Sequence, residues 1–342
     1  MGTKSLHAGF LESALKVHIR DQICKPRQWD LDACRLEIPL RGRKSLVRIL
    51  VAPDGEERLV LRLGLGAAQN RECHAMRIAS DLLVEHGIPT PRVIALFDRF
   101  GRRSAVLIHE EFIPGRTLEG TELTPPVIDA LAQTLGRLHA VRSPQWGEPR
   151  LLKRHGYSTA AIGRFANRLR SLAIPAPLRP PRSERRAISQ WARAWGPALE
   201  GLGEHSLKHG KLNAGNVMIT PDGRAVLIDL ESVHWGSAAK DLAQLRHEVF
   251  EDREEDWRLF RERHRRIIGD ELAEEIDRVL PFFEVYHHVA ECAIAMKRLR
   301  RAAHHRGVSP PLAPEKIHRH WAEALAVVES HPAPAPAEAL RH

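Results

Sequence analysis

Residues 207–233, LKHGKLNAGNVMITPDGRAVLIDLESV, carry the pattern that decides the fold. His209-Gly210 comes first, Asn216 ends the loop that follows, and a hairpin with a Pro-Asp-Gly turn leads to Asp229. A metal-bound triphosphate needs hard oxygen ligands at a fixed separation, because Mg²⁺ prefers near-octahedral oxygen coordination. Asn216 and Asp229 offer two such ligands, although each of them alone is more typical of a residue that caps or bonds within its own turn. Their spacing after His-Gly favours a site for a metal-bound nucleotide.

The residues before this segment predict a lobe built on a sheet. Apolar residues at helical spacing predict a leading helix over 6–23. Short alternating runs separated by turn signals predict three antiparallel strands over 35–63. Helical spacing returns over 69–86, and the segments RVIALFDR and SAVLIHEEFI then predict two more strands. We therefore expect an antiparallel sheet of five strands with one inserted helix.

The rest of the chain predicts a larger, mainly helical lobe in which 217–233 is the one β-rich stretch. The fold class that we expect is α+β, with a small antiparallel-sheet lobe and a larger helical lobe. The predicted domains are an N-terminal lobe over 1–110, a C-terminal lobe over 111–330, and a disordered tail over 331–342, where Pro and Ala dominate. Helices are predicted over 124–141, 158–172, 184–200, 239–250, 252–267, 270–304 with a break near Pro281, and 314–330.

The composition indicates which kinds of binding partner and which cellular compartment to expect. The net charge of +9 favours an anionic partner, although a composition rich in arginine without a functional role explains it equally well. No basic, aromatic-rich platform is present, so a nucleic-acid partner is not favoured. The sequence has neither a long apolar run typical of a transmembrane helix nor an uncharged N-terminal stretch typical of a secretory signal. The scattered cysteines, without Cys-x-x-Cys spacing, favour reduced thiols and a cytoplasmic protein.

Several histidines lie late in the chain, on predicted helices. Neighbouring residues of a helix point in different directions, so these histidines lack the i, i+4 spacing of a zinc-binding helix. We therefore expect solvated or capping side chains at His287, His288, His304, His305, His318 and His320.

The opening segment resembles the catalytic and metal loops of the aminoglycoside phosphotransferase and choline kinase group, which has a two-lobed, protein-kinase-like fold. That group carries His-Gly-Asp-x-x-x-x-Asn, a hydrophobic strand, and then Asp-x-(Glu or Asp). The resemblance implies catalytic roles for His209 and Asn216, and Mg²⁺ binding by Asn216, Asp229 and Glu231. It also implies that Asp241 ties the following helix to the catalytic loop. The matching residues are His209, Gly210, Leu212, Asn216, Asp229 and Glu231.

The resemblance extends upstream and implies a nucleotide-binding small lobe. Arg62 stands where the group has a Lys or Arg that reaches the nucleotide phosphates, and Glu72 in the next helix would be its ion-pair partner. The segment HEEFIPGRTL, with Glu111, resembles the hinge between the lobes. Gly42 and Ser45 would cover a phosphate from the loop between the first two strands, although a solvated basic hairpin fits these residues equally well.

The most informative departure from the group is Lys211. In the group, this position holds the Asp that accepts the proton of the attacking hydroxyl. An ammonium group accepts no proton. Phosphoryl transfer depends mainly on positioning and charge stabilisation, so the substitution need not abolish it. The loss of a positioned base nevertheless costs about 10²–10⁴-fold in rate.

Three functions are consistent with this pattern, whose match covers roughly residues 35–250. The first is an ATP- or GTP- and Mg²⁺-dependent phosphotransferase that acts on a hydroxyl of a polar or anionic small molecule or glycan. The second is a pseudokinase that binds nucleotide as a regulatory module, and the third is an altered chemistry such as nucleotidyl transfer. Lys211 favours the second and third, whereas the retained Asn216, Asp229 and Glu231 favour the first. The first function is therefore the prediction, and the acceptor is not specified.

Overall fold

A computed structural model describes residues 13–38, 46–100, 105–172, 178–304 and 313–334. The chain divides into two compact units, Met1–Arg116 with Met218–Ser232 (unit 1) and Thr117–Val217 with Val233–His342 (unit 2). The hairpin that follows the catalytic loop in sequence thus belongs to unit 1. Gly42 and Ser45 lie outside the described residues, so their predicted role is not addressed by the fold.

Unit 1 contains the predicted five-stranded antiparallel sheet, in the order β1-β2-β3-β5-β4. The leading helix, α1, is described over 13–27 and is π-helical at Ile19–Cys24. The inserted helix, α2, spans Ala67–Glu85 and connects β3 to β4. The strands are β1 (Arg35–Glu37), β2 (Leu46–Val51), β3 (Arg58–Gly64), β4 (Val93–Phe100) and β5 (Ala105–Glu111).

Alternation along the strands gives this sheet two apolar faces. Leu61 and Leu107 belong to one buried cluster with Ile19 of α1. Ile108 belongs to a second cluster with Met76 of α2. Because successive side chains of a strand point to opposite faces, each polar residue of β3 or β5 is assigned to one of the two helices by its position.

Unit 2 is mainly helical, as predicted, and contains a small three-stranded sheet, in the order β11-β8-β7, that was not predicted. A second three-stranded sheet has the order β10-β9-β6, and its β9–β10 hairpin is the β-rich stretch predicted after the catalytic loop. The strands that were missed have only two to four residues, too few for alternation to be visible in sequence. The strands are β6 (Arg116–Thr117), β7 (Arg142–Ser143), β8 (His205–Lys208), β9 (Val217–Ile219), β10 (Ala225–Leu227) and β11 (His234–Gly236).

The helices of unit 2 differ from the predictions at two prolines. The predicted break at Pro281 is absent, because buried apolar side chains on both sides, including Phe282, outweigh the cost of about 3 kcal/mol for an internal proline. The predicted helix 184–200 is instead two helices, because Pro197 lies in the first turn of the second one, where a proline is favoured. The helices are α3 (Pro125–Ala140), α4 (Tyr157–Ser171), α5 (Arg182–Ala194), α6 (Gly196–Glu200), α7 (Ala239–Val249), α8 (Glu254–Ile268), α9 (Asp270–His304) and α10 (Ala313–Ser330). Within the described ranges, no helix has the length and apolar character needed to cross a membrane.

Lys208, at the end of β8, is buried inside unit 2. The residue is only 2% exposed, and its Nζ has no hydrogen-bond partner among the described residues. Burial, and then the charge of Lys240, lowers the pKa of Lys208 well below its ordinary value. A Cβ at Gly236 would lie 2.7 Å from Lys208 Cε, so β11 has a glycine where the lysine stem passes.

We expect Lys208→Met to stabilise the protein at neutral pH. The unfolded chain holds a proton on this amine that the folded protein disfavours, so wild-type stability rises with pH until the unfolded lysine titrates near pH ~10.4. The variant should lose that slope and gain on the order of 1 kcal/mol or more, since one pKa unit corresponds to about 1.4 kcal/mol. Urea unfolding at several pH values measures both effects. The exposed Lys297→Met is the control, and an unchanged pH slope in Lys208→Met would contradict the interpretation.

Candidate active site

The loop that follows β8 is held by a buried carboxylate of α7. Asp241 is fully buried; its Oδ2 accepts the backbone N–H of His209 at 2.6 Å, and its Oδ1 accepts that of Gly210 at 2.9 Å. Gly210 has a φ of +78°, a left-handed conformation that glycine adopts without a steric cost. These contacts confirm the prediction that Asp241 ties its helix to the loop.

Two buried histidines stand behind Asp241. His139 of α3 has its Nε2 3.6 Å from Asp241 Oδ2, and its Nδ1 lies 2.9 Å from Nε2 of His264 in α8. Burial alone would raise the pKa of Asp241, but His139 and Lys208 outweigh it and hold the pKa below its usual range. Burial, and then His139, lowers the pKa of His264 well below its usual value. No sequence pattern predicts this network, because its members come from three helices.

Asn216 closes the same loop. Its Nδ2 donates to the backbone carbonyl of Lys211 at 2.9 Å, and its backbone N–H donates to the carbonyl of Asn213 at 2.9 Å. Lys240 Nζ donates to the carbonyl of Gly210 at 3.2 Å. Unit 2 therefore brings the predicted residues His209, Lys211 and Asn216 together in one loop whose backbone is fixed at several points.

In unit 1, the predicted phosphate-binding Arg62 forms ion pairs with two carboxylates. Arg62 Nε donates to Glu110 Oε1 at 2.8 Å, and its Nη1 lies 3.7 Å from Asp229 Oδ1. Burial lowers the pKa of Arg62, but Glu110, Asp229 and Glu231 outweigh that effect and raise it. Of the two carboxylates predicted to bind metal, Asp229 thus forms an ion pair with Arg62, and Glu231 acts on Arg62 through its charge.

The predicted ion pair between Arg62 and Glu72 is wrong. Arg62 lies opposite Ile108 in the β3–β5 pairing, so Glu110, two residues further along β5, is on the same face of the sheet. Among the described residues, the ion-pair partners of Arg62 are Glu110 and Asp229, while Glu72 is half-buried on α2. Strand register therefore selects a partner in β5 instead of one in the helix.

Glu110 and Glu111 are adjacent, and Glu111 is the residue predicted from the sequence to bind nucleotide. Glu111 is exposed, and its Oε2 accepts the backbone N–H of Arg92 at 3.2 Å. Glu110 is 6% exposed and lies in the cluster of charges around Arg62. The available signal was alternation: in β5 the residue two positions from Ile108 shares its face. A nucleotide-binding role for Glu111 stays a prediction.

Asp229 has an unusual backbone conformation. Its φ is +63°, which places a residue with a Cβ in the left-handed region at a cost of about 1–2 kcal/mol. A short 3₁₀ helix, Leu230–Ser232, follows and carries Glu231. Such strain in a non-glycine residue often marks a functional position, because the surrounding structure must hold it in place.

Substitution of Glu110 and of Glu72 separates the observed pairing from the predicted one. We expect Glu110→Gln to lower the free energy of unfolding by about 1–3 kcal/mol, because buried Arg62 loses its nearest charged acceptor. Glu72→Gln should change it by less than about 0.5 kcal/mol, as a half-buried residue outside this ion pair. Urea unfolding measures both variants. A larger loss in Glu72→Gln than in Glu110→Gln would contradict the pairing.

The fold and these loops define a class of protein. A choline kinase from Cryptosporidium parvum Iowa II is similar in structure, with 14% identity, coverage of 93% of this chain and 96% of that one, and a TM-score of 0.65. The aminoglycoside phosphotransferase APH(4)-Ia has 13% identity, coverage of 92% and 98%, and a TM-score of 0.63. A thermostable mutant of the same enzyme, in a ternary complex with ADP and hygromycin B, has 16% identity, coverage of 86% and 94%, and a TM-score of 0.62. The protein has a kinase-like fold.

The family follows from the sequence itself. The chain belongs to the phosphotransferase enzyme family, whose model matches residues 38–276. The resemblance to aminoglycoside phosphotransferases and choline kinases is thereby confirmed. Comparison with curated proteins gives no significant match.

Proposed function

We propose that the protein is a small-molecule kinase that transfers the γ-phosphoryl group of ATP or GTP, with Mg²⁺, to a hydroxyl of a small molecule or glycan. Family membership supports phosphoryl transfer in general. The ADP and hygromycin B in the complex of APH(4)-Ia are a nucleotide and a polar acceptor of the kind proposed here. The net charge of +9 favours a polar or anionic acceptor. A cytoplasmic location remains part of the proposal.

The observation that carries this proposal is the group of carboxylates around Arg62. Glu110, Asp229 and Glu231 all raise the pKa of this one guanidinium. A group of carboxylates is what a hard divalent cation needs. Glu110 forms the close ion pair, at 2.8 Å, and Asp229 lies further from Arg62, at 3.7 Å. Asp229 and Glu231 support a metal-binding role.

The chemistry of the donors also fits Mg²⁺. Asp229 and Glu231 offer carboxylate oxygens, and the bond from Asn216 Nδ2 to Lys211 leaves the amide Oδ1 as an acceptor. All three are the oxygen donors that Mg²⁺ prefers. Mg²⁺ held by donors of this kind would neutralise charge on the transferred phosphoryl group. Arg62 would add a fixed cation for the phosphates, and the backbone anchors of the catalytic loop would position the acceptor hydroxyl.

Lys211 changes the chemistry that this loop offers. Its ammonium group would stabilise negative charge on a phosphate and would not accept the proton of the acceptor. The bond from Asn216 fixes the backbone from which this side chain starts. We therefore assign Lys211 to charge stabilisation, in a reaction where positioning and electrostatics dominate.

Nucleotide binding is expected to depend on Mg²⁺ and on Asp229. ATP or GTP at millimolar concentration with Mg²⁺ should raise the melting temperature, and Asp229→Ala should remove this shift because the metal loses a carboxylate ligand. Differential scanning fluorimetry with and without Mg²⁺ measures the effect. Asp222→Ala, in the exposed turn of the same hairpin, is the matched control and should keep the shift. Absence of a shift in the wild-type protein with either nucleotide would contradict the proposal.

Substitution of Lys211 reveals how the transfer is catalysed. Because Lys211 is assigned to charge stabilisation, Lys211→Asp and Lys211→Ala should both weaken nucleotide binding, since the phosphates lose a cation. A rise in turnover of about 10²–10⁴-fold in Lys211→Asp would instead mean that a missing base limits the rate. Mass spectrometry of the product and the melting-temperature shift measure the two effects. If Lys211→Ala matches the wild-type protein in both, Lys211 has no role in the site.

A further inference from the structure

Histidines of three helices form a buried cluster in unit 2. His288 of α9 and His320 of α10 are 1% and 5% exposed, and His287 is also buried. The ring of His247, on α7, lies 4.2 Å from that of His288 between centroids. The expectation that His287, His288 and His320 are solvated or capping was therefore wrong. Spacing along one helix could not reveal the cluster, because its members come from different helices.

The nearest donor atoms form a small triangle with Glu323. His288 Nδ1 lies 3.1 Å from His320 Nδ1 and 3.1 Å from Glu323 Oε2, and His320 Nδ1 lies 3.2 Å from the same oxygen. His320 and Glu323 are three residues apart on α10, so they share one face of the helix. Donor atoms at about 2.0–2.1 Å from a tetrahedral zinc ion are about 3.3 Å from one another. The observed triangle has nearly these dimensions.

Hydrogen bonds alone do not satisfy this triangle. The Glu323 carboxylate, when ionised, only accepts hydrogen bonds and brings no proton. If both Nδ1 atoms carry a proton, two N–H groups of His288 and His320 face each other across 3.1 Å. If only one does, the lone pair of the other faces the carboxylate. A cation removes the conflict, because all three atoms direct lone pairs at it.

We propose that His288, His320 and Glu323 bind a divalent transition-metal ion, of which Zn²⁺ fits best. Two imidazoles and one carboxylate form a donor set that zinc takes in tetrahedral sites, with water in the fourth position. Imidazole ligands favour zinc over Mg²⁺, which prefers oxygen. The side chain of Glu323 is 33% exposed, which leaves a route for the ion. The ion links α9 to α10.

This metal site is separate from the proposed kinase site. Its three ligands lie beyond residue 276, where the family match ends. None of them is a residue of the catalytic loop or of the carboxylate group around Arg62. An ion that joins α9 to α10 stabilises unit 2, because it binds the folded arrangement and not the unfolded chain.

The test is a metal titration of the full chain after dialysis against a chelator, without nucleotide. The wild-type protein should bind one equivalent of Zn²⁺ in calorimetry and melt at a higher temperature with it, and Co²⁺ should give the visible absorption of a tetrahedral complex. His320→Ala and Glu323→Gln should each weaken binding by at least about 100-fold, as removal of a ligand from a three-ligand site does. The exposed His318→Ala, two residues away on α10, is the control and should bind like the wild type.

The outcomes separate the proposal from nonspecific binding and from the kinase proposal. With 20 histidines in the chain, weak binding of several ions that His318→Ala reduces as much as His320→Ala would overturn it. So would an octahedral Co²⁺ spectrum of the wild-type protein, a result that does not depend on whether any variant folds. Asp229→Ala should keep the Zn²⁺ site and lose the Mg²⁺-dependent nucleotide shift, so that failure of one proposal leaves the other standing.

Discussion

The catalytic loop depends on one buried carboxylate. Asp241 is 0% exposed, and its two oxygens accept the backbone N–H groups of His209 and Gly210. A buried charge without such partners would cost several kcal/mol, so the position of α7 and the path of the loop cannot change independently. His139 lies on the other side of the same carboxylate, 3.6 Å away, and connects the loop to α3. The location of every loop residue with a proposed chemical role follows from this arrangement.

In unit 1, the buried charge is the guanidinium of Arg62. Arg62 is largely buried, and Glu110 supplies the close ion pair that a buried guanidinium requires. Asp229 lies further away, at 3.7 Å, on a backbone conformation that an L-amino acid adopts only at a cost. The close carboxylate therefore balances the charge of the buried guanidinium, whereas the more distant and strained one is the carboxylate proposed to bind the cation. On this proposal, ion pairing and metal binding are assigned to separate carboxylates.

Histidine is used in two unrelated ways in unit 2. His139 and His264 support a carboxylate that already has two backbone donors, so their contacts complete a hydrogen-bonded network. His288 and His320 meet a carboxylate with no backbone donor among the contacts of the described residues, and the three side chains share one point. The same residue types thus yield a structural relay in one place and a proposed metal site in the other. The difference is that the Asp241 carboxylate accepts two backbone N–H groups, whereas Oε2 of Glu323 lies beside the two histidines.

The sequence by itself determined the local structure: strands from alternation, helices from their apolar spacing, and the loop that contains Asn216 from its motif. The resemblance to the phosphotransferase group also predicted the role of Asp241, which the contacts of its carboxylate confirm. Only the tertiary structure decided that Arg62 pairs with Glu110 and that the late histidines meet Glu323. Local patterns arise from the geometry of one strand or helix, whereas these contacts depend on strand register and on how separate helices pack. Which side chains meet in this way depends on how residues are buried over the whole unit, and no short stretch of sequence contains that information.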